Sequence, residues 1–443
     1  MAKTGNDGSK KPPNISLVSP RDAAPSFGAA AFGERDAWQG REDARLTRTD
    51  KGLIVPELAN LVLILRNDPG WTGVIAYDEF AGRIVKRKRP PFEPSETGEW
   101  ADIDDRRLAL WLSVNYGMLR VKREAIEDAV LMTGDQNRFH EVREYIEALK
   151  WDGRERLNHW LHAYIGADDT PYVQSVAVKW MIGAVARVMR APAETKMDNV
   201  LILEGPQDQG KSTALKILFG VWFTDAAFEI GSTDGNQIIR GMWGVELAEM
   251  DGFNRADASR SKAFFSRSAD RYRSPYGRKP INVVRQCVFA GSVNHATYLK
   301  DDTGNRRYWP VTAGYIALDE LREDRDQLWA EALMLYRAGV QWWVSAGEKE
   351  MFSDQQEQRY VGDALEDKIR AWLDDPDVDE GGIKRMQVTA REILTKCMHL
   401  EVGKWTLPEQ QRVGRIMARI GWPRKRLSGG SREWVYTRSE GEE

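Results

Sequence analysis

The 443 residues hold 64 Lys and Arg against 67 Asp and Glu, a formal net charge of −3, and 42% of them are hydrophobic, with 17 Trp. That length and apolar content suffice for two to four domains with buried cores, and a near-neutral total excludes any inference about nucleic acid from global charge, leaving only its distribution. Cys287 and Cys397 allow at most one disulfide, and neither stands in a C-x-x-C pair or at metal-ligand spacing from a His, which reads as a reducing, cytoplasmic setting without structural zinc.

The opening MAKTGNDGSKKPPN lacks a signal peptide's apolar run, and no window of about 18 apolar residues follows, so neither secretion nor membrane spanning is expected. Residues 1–50 mix Gly, Pro, Ser, Asp and Lys with few large apolar side chains and are expected to form a disordered arm. Residues 51–192 read as a mostly helical N-terminal domain. LIVPELANLVLILRNDPGW predicts a helix with Pro56 in its first turn and Asn67-Asp68-Pro69-Gly70 as its stop, and GVIAYDEFAGRIV predicts a short β pair. From Arg106 to about Ala191, five segments with apolar residues at i, i+3 and i+4 predict a helical bundle of its own. Residues 193–345 alternate β-type and helix-type runs up to about Gly314 and close with a helix from Leu318 to about Val344, the pattern of an α/β sheet domain. A charged linker with helix is expected over 346–380, and a small basic domain over 381–443.

The segment NVLILEGPQDQGKSTALKILFG holds the strongest local signal. An apolar strand, Asn199 to Leu203, runs into Gly205-Pro-Gln-Asp-Gln-Gly-Lys-Ser212, which matches G-x-x-x-x-G-K-[ST], and a helix follows, the order a phosphate-binding loop requires. Gly205 and Gly210 let backbone N–H groups turn toward phosphate oxygens, and the helix N-terminus adds partial positive charge. Lys211 reaches the β- and γ-phosphates and Ser212 offers its hydroxyl to Mg²⁺, with Gln209 and Thr213 completing the cradle. ATP and Mg²⁺ are therefore the expected ligands.

Such a site needs a carboxylate, and GMWGVELAEMDGF offers Glu246, Glu249 and Asp251 at the end of a β-type run. Glu249 is the first choice for Mg²⁺ and for orienting water and Glu246 the second, since ligands collect at the C-terminal ends of strands in open α/β sheets. The next strand-like run, QCVFAGSVN, ends at Asn294, placed to hydrogen-bond an attacking water or the γ-phosphate. Arg306 and Arg307 in TGNRRYWPV follow; alone such a pair is ordinarily solvated, but after a phosphate loop it has the look of an arginine finger supplied to a neighbouring subunit.

Taken in order, WTGVIAYDEF, EVREYIEALKWDGRERLNHWL, LEGPQDQGKST, ELAEMDGF, DRYRSPYGRKP, CVFAGSVN and DDTGNRRYWPV resemble the virulence-associated E family of phages and genomic islands, over about Gly52 to Gly314. The resemblance implies a P-loop ATPase core of the AAA+, superfamily-3 helicase type. It makes Gly205, Gly210, Lys211 and Ser212 the Walker A residues, Glu249 with Glu246 nearby the Walker B residues, and Asn294 the sensor. It makes one of Arg306 and Arg307 the trans-acting finger, without saying which. It also implies a DNA-touching hairpin in DRYRSPYGRKPINVV, with Arg273, Tyr276, Arg278 and Lys279 as contacts. The residues support this independently, because cations surround two tyrosines and an SPYG turn, although Asp270 argues the other way. Larger relatives often carry a primase module ahead of the ATPase, and primase activity is not expected in this chain. Glu141 follows His140 where the family pattern has Pro, so His140 is read as structural.

Residues 381–443 hold 13 Lys and Arg against seven Glu and no Asp. Two helices, with Gly421 as the stop of the second, and a hairpin in RKRLSGGSREWVYTR resemble a winged helix-turn-helix. Its second helix would present Gln411, Arg412, Arg415 and Arg419 to DNA, with Lys425 and Arg426 on the wing. The combined expectation is an ATP-dependent DNA helicase or translocase, a ring and specifically a hexamer, acting on single-stranded or forked DNA in replication of a mobile element, with a separate primase as a candidate partner. The alternative is an ATP-dependent DNA-binding switch, in defence or regulation, that does not unwind.

Overall fold

The computed structural model describes residues 45–189, 195–247, 262–273, 280–294, 299, 305–359, 364–375, 385–426 and 434–438, so the expected N-terminal arm lies outside them up to residue 44. The chain divides into two compact units, one ending at Phe139 and the other starting at His140.

In the first unit the helix Leu58–Asn67 starts after Glu57, with Pro56 just ahead of the cap rather than inside the first turn. Ile75–Asp78 (β1) and Arg83–Lys86 (β2) form the expected antiparallel pair; Gly98–Glu99 (β3) pairs with β2, and Arg138–Phe139 (β4) runs parallel to β1. The helix Asp102–Tyr116 begins with three aspartates in its first turn, where the helix dipole favours negative charge, and ends at Gly117 with φ 64°. One of the three, Asp104, is fully buried. Burial alone would raise its carboxyl, but the Ala101 N–H at 3.0 Å, Lys86 and Arg107 at 2.9 Å outweigh it and hold the group below the usual carboxylate range. The core gathers around Trp71, whose ring meets Trp111 at 5.4 Å and Phe92 at 5.8 Å.

The second unit is mixed α/β, built on a five-stranded parallel sheet. Its strands are Val200–Glu204 (β5), Phe223–Thr224 (β6), Gly244–Leu247 (β7), Val288–Val293 (β10) and Tyr308–Thr312 (β11), in the order β11-β5-β10-β7-β6. Ala269–Tyr272 (β8) and Ile281–Val284 (β9) form a separate antiparallel hairpin between β7 and β10 in the chain.

The predicted bundle over 106–191 is divided between the two units. Helices Asp102–Tyr116 and Arg123–Gln136 belong to the first, whereas Glu141–Ala148, Trp160–Ile165 and Pro171–Met189 belong to the second. The last of these is buried on nearly every side, as an all-round apolar helix must be. The Trp180 indole N–H on it donates to Phe289 O on β10 at 3.2 Å, and the Trp243 indole N–H donates back to its Ala184 O at 2.9 Å. The helix Leu318–Arg337 stops short of the predicted Val344 because Gly339 takes φ 80°. Its buried Glu331 accepts the N–H groups of Arg156 at 2.7 Å and Leu157 at 3.0 Å, fixing the turn before helix Trp160–Ile165.

Toward the C-terminus, helices Lys349–Glu357 and Ala364–Asp374 occupy the expected linker, and Ile369 and Leu373 of the second share a core with Val388, Ile393, Val413 and Tyr436. The tail order is strand Gln387–Thr389 (β12), helical segments Ala390–Glu392 and Ile393–Cys397, helix Leu407–Arg419, then the antiparallel pair Arg424–Arg426 (β13) and Trp434–Thr437 (β14). Strand β12, not foreseen in the sequence, completes a three-stranded sheet in the order β12-β14-β13. Cys287 and Cys397 are buried free thiols, pushed up by burial. Among the described residues no helix is long and apolar enough to cross a membrane.

The tips of β5 and β11 are held by a buried ion pair. Glu204, the last residue of β5, meets the Arg359 guanidinium at 2.9 Å and accepts the Thr312 hydroxyl of β11 at 3.0 Å. Arg359→Met leaves this carboxylate buried without its cation and is expected to cost about 3–5 kcal/mol, most of it recovered in Glu204→Gln/Arg359→Met, as urea unfolding would read. Gly244 on β7 lies against Phe219, where an added Cβ would come 2.1 Å from the ring. Trp180, Trp243 and Trp329 surround that ring with centroids at 5.4–5.7 Å and leave it no room to retreat. Gly244→Ala is expected to destabilise by about 1–3 kcal/mol, read as a lower urea midpoint at unchanged slope.

Candidate functional site

Parallel pairing sets Glu204 level with Val293 on one side and with Thr312 on the other. The residues that follow each strand therefore emerge at one edge of the sheet, and the Gly205 N–H donates to Val293 O at 3.1 Å. Asn294, exposed at the tip of β10, thus stands beside the start of the Gly205–Gly210 loop.

The loop turns through Gly205 (φ 156°), Asp208 (φ 62°) and Gly210 (φ 93°) into helix Lys211–Phe219. A side chain at Gly205 would displace Gln209, whose Oε1 would lie 2.1 Å from its Cβ, and would be strained at this φ. Gln209 folds back over Gly205 and donates its amide to Ala313 O at 3.1 Å and to Gly314 O, tying the loop to the segment after β11. Gly210, the cap of the helix, supplies no side-chain acceptor, so the first-turn N–H groups are not capped by it. The Lys211 ammonium, buried in the loop, donates to the carbonyls of Gly205 and Pro206, each at 2.6 Å. Thr213 is exposed on the first turn.

Ser212 meets a carboxylate directly. Its hydroxyl donates to Glu246 Oε1 at 2.7 Å, and Glu246, on β7, is 2% exposed. The second oxygen of that carboxylate, Oε2, is buried without a hydrogen-bond partner. A buried carboxylate oxygen left open beside a serine hydroxyl at a helix N-terminus matches the donor set of a hard divalent cation, which takes one or two protein oxygens and fills its remaining positions with water and phosphate. Among the described residues no group of three or more His, Cys, Asp or Glu gathers that could hold a metal by itself. Glu246, the second choice from the sequence for the metal, reaches Ser212; Glu249, the first choice, and Asp251 lie outside the described residues.

Arg306 and Arg307 differ sharply in surroundings. Arg307 donates to Ser266 Oγ at 2.8 Å and 3.2 Å and lies 3.4 Å from the Asp198 carboxylate, with 12% of its side chain exposed. Arg306, its neighbour in the same short turn, is exposed. Glu204, Thr312 and Arg359, which clamp the root of the loop, were not singled out in the sequence, and only the position of Glu204 directly before Gly205 hinted at them.

On the β8–β9 hairpin the period-2 alternation sends Arg271 outward and Asp270 and Tyr272 inward, with Arg273 exposed beyond them. Asp270 is buried and paired with Arg285, so its charge is neutralised inside the fold and does not oppose the basic surface. Tyr276, Arg278 and Lys279 lie outside the described residues. In the tail, Gln411 and Arg415 are exposed on helix Leu407–Arg419 and Arg412 is half-buried. Arg419 pairs with Glu357 and, at 3.5 Å, with Glu366, and so is turned toward the preceding helices. Arg424 and Arg426 on β13 lie over the Trp434 ring, at 4.6 Å and 5.9 Å, and Lys425 is exposed between them. His140 accepts the Arg143 N–H at 3.2 Å and bonds Gln286, which are structural contacts.

A search of the curated proteins finds no match. Among solved structures, the A form apo structure of the NrS-1 C-terminal region is similar at 10% identity and a TM-score of 0.47, covering 86% of this chain and 99% of that one. A second apo structure of the same region is similar at 11% identity and a TM-score of 0.41, covering 82% and 95%. The model of the virulence-associated protein E-like domain matches residues 146–361, which hold the parallel sheet, the Gly205–Gly210 loop and the Ser212–Glu246 contact. Over those residues the chain is similar to the virulence-associated protein E-like domain.

Proposed function

We propose that the chain is an ATP hydrolase of the P-loop, superfamily-3 helicase type, which works as a ring, a hexamer, on single-stranded or forked DNA during replication of a phage or other mobile element. The observation that carries this reading is the contact between Ser212 and the buried Glu246, whose second oxygen has no partner. In it, the loop N–H groups after Pro206, through to Thr213, hold the phosphates, and Lys211 exchanges its two carbonyl partners for phosphate oxygens. Ser212 and Glu246 would hold Mg²⁺, which when bound would neutralise phosphate charge. Glu249 orients the attacking water, and Asn294 bonds the water or the γ-phosphate from the tip of β10. The exposed arginines 271 and 273 and the hairpin tip, with the winged-helix-like tail through Gln411, Arg412 and Arg415, contact DNA; Arg419 has the weakest claim, because its charge is used at Glu357 and Glu366.

Lys211→Ala is expected to abolish ATP turnover, and Glu246→Gln to lower it at least about a hundredfold while weakening Mg²⁺ dependence. Turnover persisting in Lys211→Ala would remove the reading. A forked substrate decides between unwinding and switching: strand displacement supports the helicase, and DNA-stimulated turnover without displacement supports a DNA-bound switch.

The finger in this reading is Arg306. Arg307 is held by Asp198 and Ser266 of its own chain, whereas Arg306 faces solvent, where a neighbouring subunit's nucleotide would meet it. Arg306→Ala is expected to reduce turnover about a thousandfold without lowering the melting temperature. Mixing inactive Arg306→Ala with inactive Lys211→Ala is expected to restore turnover, since some mixed interfaces then hold an intact loop from one subunit and an intact finger from the next. No recovery on mixing would place the arginine in its own subunit's site.

A further inference from the structure

The base of the β8–β9 hairpin is fixed by an unusually complete set of contacts. The Arg285 side chain is 1% exposed; its Nε reaches Asp270 Oδ2 at 2.9 Å and its Nη2 reaches both carboxylate oxygens, at 2.6 Å and 2.7 Å. Its Nη1 donates to Phe264 O, and the guanidinium lies 4.1 Å over the Phe264 ring. Phe264 belongs to the helical turn 262–265, and Phe264 and Phe265 are both fully buried against Phe289 of β10, at 5.5 Å and 5.0 Å. The next residue of the same turn, Ser266, accepts both Arg307 donors. One short turn therefore grips the hairpin base on one side and the Arg306–Arg307 segment on the other.

We propose that this turn couples the two, with Ser266 and Asp270 as positioning residues: a displacement of the Arg306–Arg307 segment is carried through Ser266 and Phe264 to Arg285, Asp270 and the hairpin. The inference rests on the ATPase reading above. A bidentate buried ion pair cannot rotate without losing several charge-assisted hydrogen bonds at once, so the hairpin base and the turn move together. Arg307 links that unit to its sequence neighbour Arg306, the group expected to sense a neighbour's nucleotide. By reciprocity, DNA held at the hairpin biases the position of Arg306, which appears as DNA stimulation of turnover.

The experiment uses the full chain and compares ATP turnover with and without a single-stranded oligonucleotide. Ser266→Ala removes only an exposed side chain's acceptor for Arg307. It is expected to keep the basal rate and the melting temperature while the stimulation by DNA falls roughly fivefold or more. Asp270→Asn keeps one acceptor oxygen for Arg285, replaces the other with an amide donor and removes the charge. It is expected to lower stimulation in the fraction that remains folded, with oligonucleotide affinity, read by anisotropy, less affected than stimulation. Wild-type stimulation in Ser266→Ala overturns the coupling, as does an Asp270→Asn effect that only tracks the folded fraction. Absence of any DNA stimulation in the wild type would instead overturn the underlying reading, and the two failures are told apart by that control.

Discussion

A parallel ladder allows a strand to be read off against its neighbours, and in this protein the register of β5 between β10 and β11 determines what meets what. Glu204 stands opposite Val293 and Thr312, so the loop after β5, Asn294 after β10 and the segment after β11 share one edge. A shift of one residue along β5 would turn the fully buried run Val200–Glu204 over and draw Gly205 away from Val293 O. The register is secured where such a shift would begin: Arg359 and Thr312 hold the Glu204 carboxylate, and the Ala313 N–H donates to Glu204 O at 2.7 Å. The strand that carries the glycine-bearing loop is thereby fixed in place.

The second unit extends the same economy to its aromatic side chains. The indole N–H groups of Trp160, Trp180, Trp243 and Trp329 all donate to backbone carbonyls. An indole buried with its N–H satisfied adds apolar area and also fixes one element's angle against another. Trp329 does this for the candidate site: it binds Leu218 O, and Arg325 one turn earlier binds the same carbonyl, so helix Leu318–Arg337 holds the C-terminal end of the helix whose N-terminus closes the loop. The C-terminal dipole of that helix meets a guanidinium, the favourable sign.

How much of this the sequence disclosed follows from what local pattern can encode. The strand, loop and helix from Asn199 to Gly220 were legible because spacing, glycine placement and periodicity agree there, and the β1–β2 hairpin was legible for the same reason. The division of the helical run at Phe139 was not, because helices on either side share one period and the separating strand β4 is two residues long. Periodicity also does not say which partner an apolar face meets; only the all-round burial of Pro171–Met189 assigns it to the sheet. That Glu246 meets Ser212 depends on the register of β7, which is set by the pairing of Glu246 with Ala290 and is not written in local pattern. The two adjacent arginines are chemically identical in sequence and separated only by the Asp198 and Ser266 that one of them finds.

Asp270 shows how a charge misleads when its partner is unknown. In a linear reading it dilutes the basic stretch around it, and a surface carboxylate there would repel phosphate. Arg285, fifteen residues later and across the hairpin, withdraws it: strand alternation turns Asp270 inward, pairing brings Ala269–Tyr272 against Ile281–Val284, and the next residue of the second strand's run reaches back to the carboxylate. The pair removes one negative charge from the exposed face and leaves Arg271 and Arg273 outward, so the same interaction that fixes the hairpin's base also makes its surface more positive. In the proposed reading a hairpin that follows a phosphate backbone would need both properties, and one buried ion pair would supply them together.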